Sequence, residues 1–135
     1  MKTSADIRNN AANYAATQHN SGFIRFYDGT RPTDPDTALS GNTELAECTF
    51  GATAFGAAVA GVVTANAITK DSSATGGSTA TFARSFASDG TTALHDFRVS
   101  TSGGGGEIIM GTLTIGAGVE VTVDSCTLEP SPQGS

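Results

Sequence analysis

The sequence contains no tryptophan, few charged side chains and only two cysteines. Charged residues occupy 15% of the 135 positions, below the roughly 25% of an average soluble domain. Cationic residues are scarcest, with seven Lys and Arg against thirteen Asp and Glu, which gives a formal net charge of −6. An acidic chain without a basic cluster repels the phosphate backbone. We therefore expect no nucleic-acid partner.

The chain also lacks a long apolar run. No segment approaches the roughly 18 consecutive apolar residues that a membrane-spanning helix needs, and the first residues lack the apolar core of a secretory signal peptide. We expect no membrane partner, and we expect the chain to be made and folded in a cytosol.

The two cysteines, Cys48 and Cys126, are far apart in the sequence, and neither has a second Cys or His nearby. This spacing does not fit a zinc site. A disulfide between them is one interpretation. Two buried, reduced thiols are favoured for a protein that folds in a reducing cytosol. We expect no metal and no cofactor.

Residues 3–18 carry the one helical pattern of the chain. Thr3 or Ser4 is available as an N-cap, and the Asn and Gly residues after position 19 end the helix. A short, alanine-rich helix needs tertiary packing, so we expect it to contact a neighbouring subunit or to fold back over its own sheet. The candidate subunit-contact residues form one stripe at helical spacing: Ile7, Ala11, Tyr14 and Ala15.

The strongest local signal is a hairpin over residues 81–99. Asp89-Gly90 between apolar segments is typical of a two-residue type I′ turn, because both central positions of that turn need positive φ. A bulged loop would instead slip the register and turn one strand over. The type I′ register pairs Ser88 with Thr91, Phe86 with Ala93, Arg84 with His95, and Phe82 with Phe97.

Short alternating segments separated by turn residues occupy most of the remaining chain. They predict an all-β fold, a β-sandwich or small barrel of six to eight short antiparallel strands with one N-terminal helix. We divide the chain into an N-terminal helix or arm (1–21), a β-sandwich domain (22–129) and a polar C-terminal tail (130–135). Besides the hairpin, strands are predicted at 22–27, 44–50, 62–69, 107–114, and in a last strand lined by Val119, Val121 and Val123.

Two loops have some features of ligand-binding motifs but lack others. Asp28, Asp34 and Asp36 have neither the spacing nor the closing Glu of an EF-hand, so turn formation accounts for them better. The glycines at 103–106 are followed by no Lys-Ser/Thr and by a strand pattern, unlike a phosphate-binding loop. We predict a strand-to-strand loop there.

The sequence gives little support to an enzymatic function. The only side chains with near-neutral pKa values are His19 and His95, and each stands alone in the sequence. A Ser, His and Asp set can be assembled by chance from so many Ser and Asp residues, so we assign no catalytic residue. We expect the protein not to be an enzyme.

Four segments carry turn motifs next to predicted strands: residues 20–32, which include Tyr27-Asp28-Gly29, and residues 45–56, 64–82 and 88–91. Together they resemble a family of small virion structural proteins of tailed bacteriophages. The resemblance runs from the first helix to Ser102 and again through the last strand. The motifs are turns and buried strands, with no catalytic signature. Cys48, where that family would have an aliphatic residue, and the four-glycine run depart from the pattern.

The resemblance implies a structural protein of a phage particle, most simply a capsid decoration (cement) protein on the head. Its partners would be the major capsid protein, or tail subunits, and copies of itself in a homo-oligomer. Its location would be the virion, after synthesis in the cytoplasm of the host bacterium. A tail or neck component is the alternative in the same class. A surface- or glycan-binding module of a fibre is the alternative in another class, although only two tyrosines are present to form such a site.

Overall fold

The computed structural model describes residues 2–130, which form one helix and eleven strands, six of them only two residues long. Residues 131–135 of the predicted tail lie outside the described residues. The elements are α1 (Ala5–Gln18), β1 (Phe23–Tyr27), β2 (Glu44–Phe50), β3 (Val63–Thr64), β4 (Ile68–Thr69), β5 (Ser78–Thr79), β6 (Phe82–Phe86), β7 (Ala93–Phe97), β8 (Val99–Ser100), β9 (Ile108–Ile109), β10 (Thr114–Ile115) and β11 (Ser125–Leu128).

The strands form three sheets. A five-stranded sheet has the order β4-β2-β1-β6-β7, a four-stranded sheet has the order β3-β11-β9-β8, and β5 pairs with β10. Strand pairs are antiparallel except β8 with β9, which is parallel. None of these sheets, within residues 2–130, closes on itself. A mostly-β fold with one N-terminal helix is therefore confirmed.

Helix α1 begins at the N-cap Ser4, whose hydroxyl accepts a hydrogen bond from the backbone N–H of Ile7. The side of the helix that is buried against the rest of the chain consists of alanines, namely Ala12, Ala15 and Ala16. Because alanine side chains are short, the helix backbone can approach the sheets closely on this side. The helix thus packs on its own β domain.

The central strands β1 and β2 match their predictions, and β2 has the predicted bounds. Ile24 pairs with Cys48 and Phe26 with Ala46, and all four side chains are buried. This alternation places an apolar face of the five-stranded sheet in the core. The core cluster draws on both larger sheets, and Leu45, Ile108, Cys126 and Leu128 are among its members.

The hairpin β6–β7 exists, but its turn is not type I′. Gly90 has φ of +73°, whereas Asp89 does not have positive φ. The N–H of Gly90 donates to the carbonyl of Ala87 at 2.9 Å, which makes a turn one residue earlier than predicted. The Asp89 carboxylate accepts from the backbone N–H groups of Thr91 and Thr92, at 2.9 Å each. These side-chain bonds stabilise a longer loop than the predicted one.

Only one pair of the predicted hairpin register, Phe86 with Ala93, is present. Phe86 pairs with Ala93 as expected, but a bulge just before Phe86 shifts the remaining pairs by one residue. Phe97 consequently pairs with Ala83 instead of Phe82. A slip of one residue moves a side chain to the other face of a sheet, so Phe97 faces the core with Ala83. All five β6 residues are buried, so both faces of that strand are covered.

Three other predicted strands are interrupted or displaced. Residues 62–69 divide into β3 and β4, because residues 65–67 carry the chain from the four-stranded to the five-stranded sheet. Residues 107–114 contain β9 and only the first residue of β10. The last strand is β11, not the valine run, in which Val121 makes one isolated bridge and Val119 is exposed.

In the acidic loop after β1, the Asp34 carboxylate forms a turn as predicted, whereas that of Asp28 bonds the far end of the loop. Asp28 Oδ1 accepts from the N–H of Thr43 at 2.7 Å. Asp34 Oδ1 accepts from both the N–H and the hydroxyl of Thr37, each at 2.9 Å. The glycine-rich segment at 103–106 is a loop between β8 and β9, again as predicted.

Candidate functional site

The four candidate contact residues of α1 divide between two environments. Ile7 is 61% exposed and Tyr14 is 70% exposed, whereas Ala11 is half-buried and Ala15 is buried against the core. The structure therefore brings Ile7, Ala11 and Tyr14 together on an outward-facing stripe, which we call the outer face of α1. Ala15 belongs to the inner, packed side.

The helix is fixed to a neighbouring turn by side-chain hydrogen bonds. This turn, residues 58–61, lies between β2 and β3. Because three helix residues spaced along α1 take part, the helix is held in a defined orientation. Arg8 Nη1 donates to the carbonyl of Ala60 at 2.8 Å, the N–H of Gly61 donates to Asn9 Oδ1 at 2.8 Å, and the N–H of Ala58 donates to Asn13 Oδ1 at 2.9 Å.

This turn is a tight hairpin turn with positive φ at both central residues. Val59 and Val62 exchange backbone hydrogen bonds at 2.9 and 3.0 Å, and φ is +52° at Ala60 and +81° at Gly61. Positive φ at alanine carries strain of about 1–2 kcal/mol, which the bonds from the helix offset. The turn projects Val59, which is 75% exposed. The Val-Ala-Gly-Val spacing was the available sequence signal for this turn.

The outer face of α1 carries no charge. At about 100° per residue, the positions nearest to Ile7 around the helix are Ala11, Tyr14 and Gln18, flanked by Ser4 and Asn10. The exposed Ile7 and Tyr14, bordered by uncharged polar side chains on a helix that is held in place, have the composition of a protein-contact surface.

A second cluster, fully internal, connects the end of α1 to the central hairpin. His19 Nδ1 lies 2.7 Å from the carbonyl of Ala15, so Nδ1 carries the proton and Nε2 accepts from the Ser85 hydroxyl at 2.8 Å. Ser85 Oγ in turn accepts from the backbone N–H of His95 at 3.1 Å. The rings of His19 and His95 stack with centroids 5.3 Å apart.

The Ser85–His19 contact resembles a nucleophile and its base, but both residues are 0% exposed. A substrate has no route to the hydroxyl in this conformation. Burial lowers the pKa of His19 to about 4, an effect opposed by the bond to Ala15 and reinforced by His95. Burial also lowers the pKa of His95, whose Nδ1 is buried without a hydrogen-bond partner. Both imidazoles are neutral at pH 7, and the cluster acts as a structural link.

A buried ion pair between β6 and β7 of the five-stranded sheet fixes the loop after β1. Arg84 donates to Asp96 through Nε at 2.7 Å and through Nη2 at 3.1 Å, and the two side chains are only 4% and 7% exposed. The remaining donors reach the loop, at the carbonyls of Thr37 (2.9 Å) and Asp34 (3.2 Å). This loop therefore covers the sheet face that carries Arg84.

The two cysteines are buried free thiols. Burial raises the pKa of Cys48 to about 11 and that of Cys126 to about 12. Since the thiolate is the reactive form, both are poor nucleophiles at neutral pH. Cys48 Sγ lies 3.4 Å from the carbonyl of Val121, a contact that ties the valine segment to β2.

A groove of about 550 Å³ runs along β7, the edge strand of the five-stranded sheet. Its charged lining includes Arg98 and Glu107, which are bonded to each other. Asp96 and Glu129 also line the groove, so acidic side chains outnumber the single arginine there.

Two classes of site are missing from the described part of the chain. Residues 2–130 contain no group of three or more His, Cys, Asp or Glu side chains placed to hold a metal ion. The same residues include no helix with the length and apolar character that crossing a bilayer requires.

Comparison of the chain with models of known families, with curated proteins and with solved structures found no match. The function of the outer face of α1 therefore has to be argued from its own chemistry and from the motifs in the sequence.

Proposed function

We propose that this chain is a structural protein of a tailed-phage particle, and that it is a capsid decoration (cement) protein that docks on major capsid subunits. The observation that carries the proposal is the outer face of α1, where Ile7 and Tyr14 are exposed on a helix that three hydrogen bonds hold in place. The sequence motifs that resemble small virion proteins supply the biological setting. The chain would be made in the bacterial cytoplasm and would end in the virion.

The proposed mechanism is burial of apolar surface at subunit contacts. Each large apolar side chain that becomes buried contributes roughly 1.5–3 kcal/mol. Because three hydrogen bonds hold the helix on residues 58–61, little conformational freedom is lost on docking. Repetition over many copies on a shell multiplies a modest single contact into strong attachment.

The proposal includes a β-sandwich as the finer description of the fold. It is supported by the shared core, in which Cys48 and Phe26 of the five-stranded sheet and Cys126 and Ile108 of the four-stranded sheet belong to one cluster. Two sheets that bury a common core are the layers from which a sandwich is built.

A structural role is also supported by the state of the one Ser–His contact described above. Ser85 and His19 have no exposed surface, whereas a catalytic nucleophile must reach its substrate. Their contribution would be to hold α1 against the hairpin, so that the outer face has a fixed position.

The test is binding of the purified chain to phage particles assembled without it. We expect it to co-sediment with heads at a fixed ratio to the major capsid protein. Binding to isolated tails alone would move the assignment to the tail or neck, and binding to neither would refute a virion role.

The site is tested with a matched pair of variants. Ile7→Glu places a charge on the outer face and is expected to lower particle binding at least tenfold. Val119→Glu makes the same kind of change at an exposed valine far along the chain from α1, and we expect wild-type binding. Equal binding by both variants would exclude the outer face from the contact.

A further inference from the structure

We propose that His19 is an acid-sensitive switch, in which protonation of the imidazole favours a state where helix α1 has left the β domain while the sheets stay folded. This inference concerns the chain by itself and goes beyond the proposed function. It rests on the surroundings of the His19 ring, on the few other contacts that hold α1, and on the position of the hinge to β1.

The ring of His19 is enclosed by groups that do not balance a positive charge. The rings of Phe50 and Phe55 contact it with centroids 5.3 and 5.4 Å away, and the ring of His95 stacks on it at 5.3 Å. The titratable neighbour is thus a second histidine, which opposes protonation. Since burying a charge without a partner is costly, the protonated ring is disfavoured in this position.

Protonation also removes the acceptor that Ser85 uses. The Ser85 hydroxyl donates to Nε2 of His19 at 2.8 Å, and its oxygen already accepts from the N–H of His95. With a proton on Nε2, the next acceptor for the Ser85 hydrogen is the His95 carbonyl, 3.5 Å away. This distance exceeds the usual 2.5–3.0 Å for a hydroxyl donor. The charged ring is therefore mismatched in hydrogen bonding as well.

The charged residues near this cluster lie on the His95 side. In the described part of the chain, none of them hydrogen-bonds to either imidazole. Asp96 favours the charged form of His95, but burial outweighs this effect, and its carboxylate is bonded to Arg84. The others line two surface grooves that His95 borders, with Arg98, Glu107 and Glu129 in one and Arg31 and Asp34 in the other. His19 itself has no exposed surface, so water cannot replace the missing counter-charge.

His19 is also the largest side chain that α1 and its caps place in the core. It is the C-cap residue, and the buried side chains of the helix itself are Ala12, Ala15 and Ala16. An alanine buries only one methyl group, much less than an aromatic ring does. The three hydrogen bonds to residues 58–61 are exposed or only partly buried, so water can replace them. A short helix that loses its main core contact does not stay docked.

The chain has a hinge directly after His19. Ser21 has φ of +57°, and its N–H donates to the carbonyl of Gly51 at 2.9 Å. The carbonyl of Gly22 accepts from the N–H of Phe50 at 2.9 Å. These bonds fix residues 21 and 22 to the end of β2. Because α1 lies outside every sheet, residues up to 19 can leave without breaking a strand pair.

Hydrogen exchange of the full chain in low concentrations of urea tests the release. The pKa of His19 is about 4 in the docked state and near 6.5 once the ring is in water, so the opening constant should rise about tenfold per pH unit between these values. After correction for the chemical pH dependence of exchange, we expect residues 12–18 to lose about twentyfold in protection from pH 7 to pH 5.

The urea dependence separates release of α1 from global unfolding. Opening of one helix exposes little surface, so protection of residues 12–18 should depend only weakly on urea. Amides of β1 and β6 should be better protected, with a steep dependence on urea. Equal protection and equal urea dependence in helix and strands would overturn the inference. So would a protection of residues 12–18 that does not change with pH.

Two variants assign the response to one ring. Glutamine at position 19 keeps a donor and an acceptor but does not titrate, so His19→Gln should protect residues 12–18 equally at pH 7 and pH 5. The matched control His95→Gln should still lose at least tenfold. A pH response that disappears in His95→Gln would overturn the inference, even if His19→Gln does not fold. None of these measurements uses phage particles, so failure of the virion role would leave them unchanged.

Discussion

At the scale of single residues, the histidines contribute to folding through their neutral forms. His19 donates from Nδ1 to Ala15 and accepts at Nε2 from Ser85. A proton added to Nε2 would replace this acceptor with a second donor facing a hydroxyl that already accepts from His95. The hydrogen bonds around the imidazole of His19 are therefore compatible only with its neutral form, protonated at Nδ1.

We predict that the protein loses stability in mildly acidic solution. The pKa of His19 is about 4 in the folded chain and near 6.5 in the unfolded chain, so the unfolded state binds the proton more readily. The contribution is complete above pH 6.5 and is lost as the pH falls from 6.5 towards 4. We expect a decrease of about 2 kcal/mol in unfolding free energy between pH 7 and pH 5. Urea titrations measure it.

His95 also makes the folded protein less stable at acidic pH, because burial lowers its pKa too. Glu44 acts in the opposite direction, since burial raises the pKa of its carboxyl and favours the protonated form. His19→Gln, which cannot titrate, separates these effects: its stability should depend less on pH than that of the wild type. Parallel pH profiles of the two proteins would show that His19 is not the responsible group.

Gly90 illustrates a residue whose conformational role was predicted although its turn was not. Its φ of +73° disfavours any side chain, and an added Cβ would meet Arg25 Nη2 at 3.4 Å. Arg25 also donates to the Gly90 carbonyl at 2.8 Å. We predict that Gly90→Val lowers stability by about 1–3 kcal/mol, measured by thermal unfolding.

The control for this substitution is Gly111→Val. Gly111 is exposed, and an added Cβ there would meet no atom within 4 Å. The control should unfold close to the wild-type temperature. If Gly90→Val and Gly111→Val unfold together, strain at Gly90 is not the cause.

At the scale of elements, local signals determined what the sequence could predict. The alternation in β1 and β2 and the N-cap Ser4 of α1 fix those elements within a residue or two, because each signal lies inside the element it defines. The register of the hairpin β6–β7 depends instead on what the rest of the chain packs against it. Both faces of β6 are buried, so alternation could not indicate which face belonged to the core.

The interrupted strands have a similar explanation. The Val119, Val121 and Val123 alternation is a good strand pattern, but Val121 alone finds a bridge, to Asp71. Whether a segment becomes a strand depends on the partner strands it meets, and β11 pairs with both β3 and β9. The chain changes sheets at residues 65–67, and this also depends on tertiary packing, which strand propensity does not describe.

We predict that the buried ion pair holds the loop after β1 in place. Arg84→Leu would leave the Asp96 carboxylate buried without its cation and would release the carbonyls of Asp34 and Thr37. Breaking a buried pair in this way costs roughly 3–5 kcal/mol. Chemical denaturation measures the loss, and limited proteolysis should show faster cleavage within residues 31–39.

Arg98→Leu is the matched control for the ion pair. Arg98 is exposed and bonded to Glu107, and pairs of this kind contribute little because water screens them. For Arg98→Leu we expect nearly the wild-type unfolding free energy and wild-type rates of cleavage within residues 31–39. Similar losses in both variants would mean that burial does not distinguish the two pairs.

At the scale of the whole molecule, the candidate site was partly predictable. Helical spacing identified Ile7, Ala11 and Tyr14 as one stripe, but it could not tell which side of the helix faced the β domain. The opposite stripe, centred on Ala12 and Ala16, is less apolar by composition yet is the buried one, because small side chains permit close packing. Nothing in the sequence indicated that residues 58–61 would bind the helix.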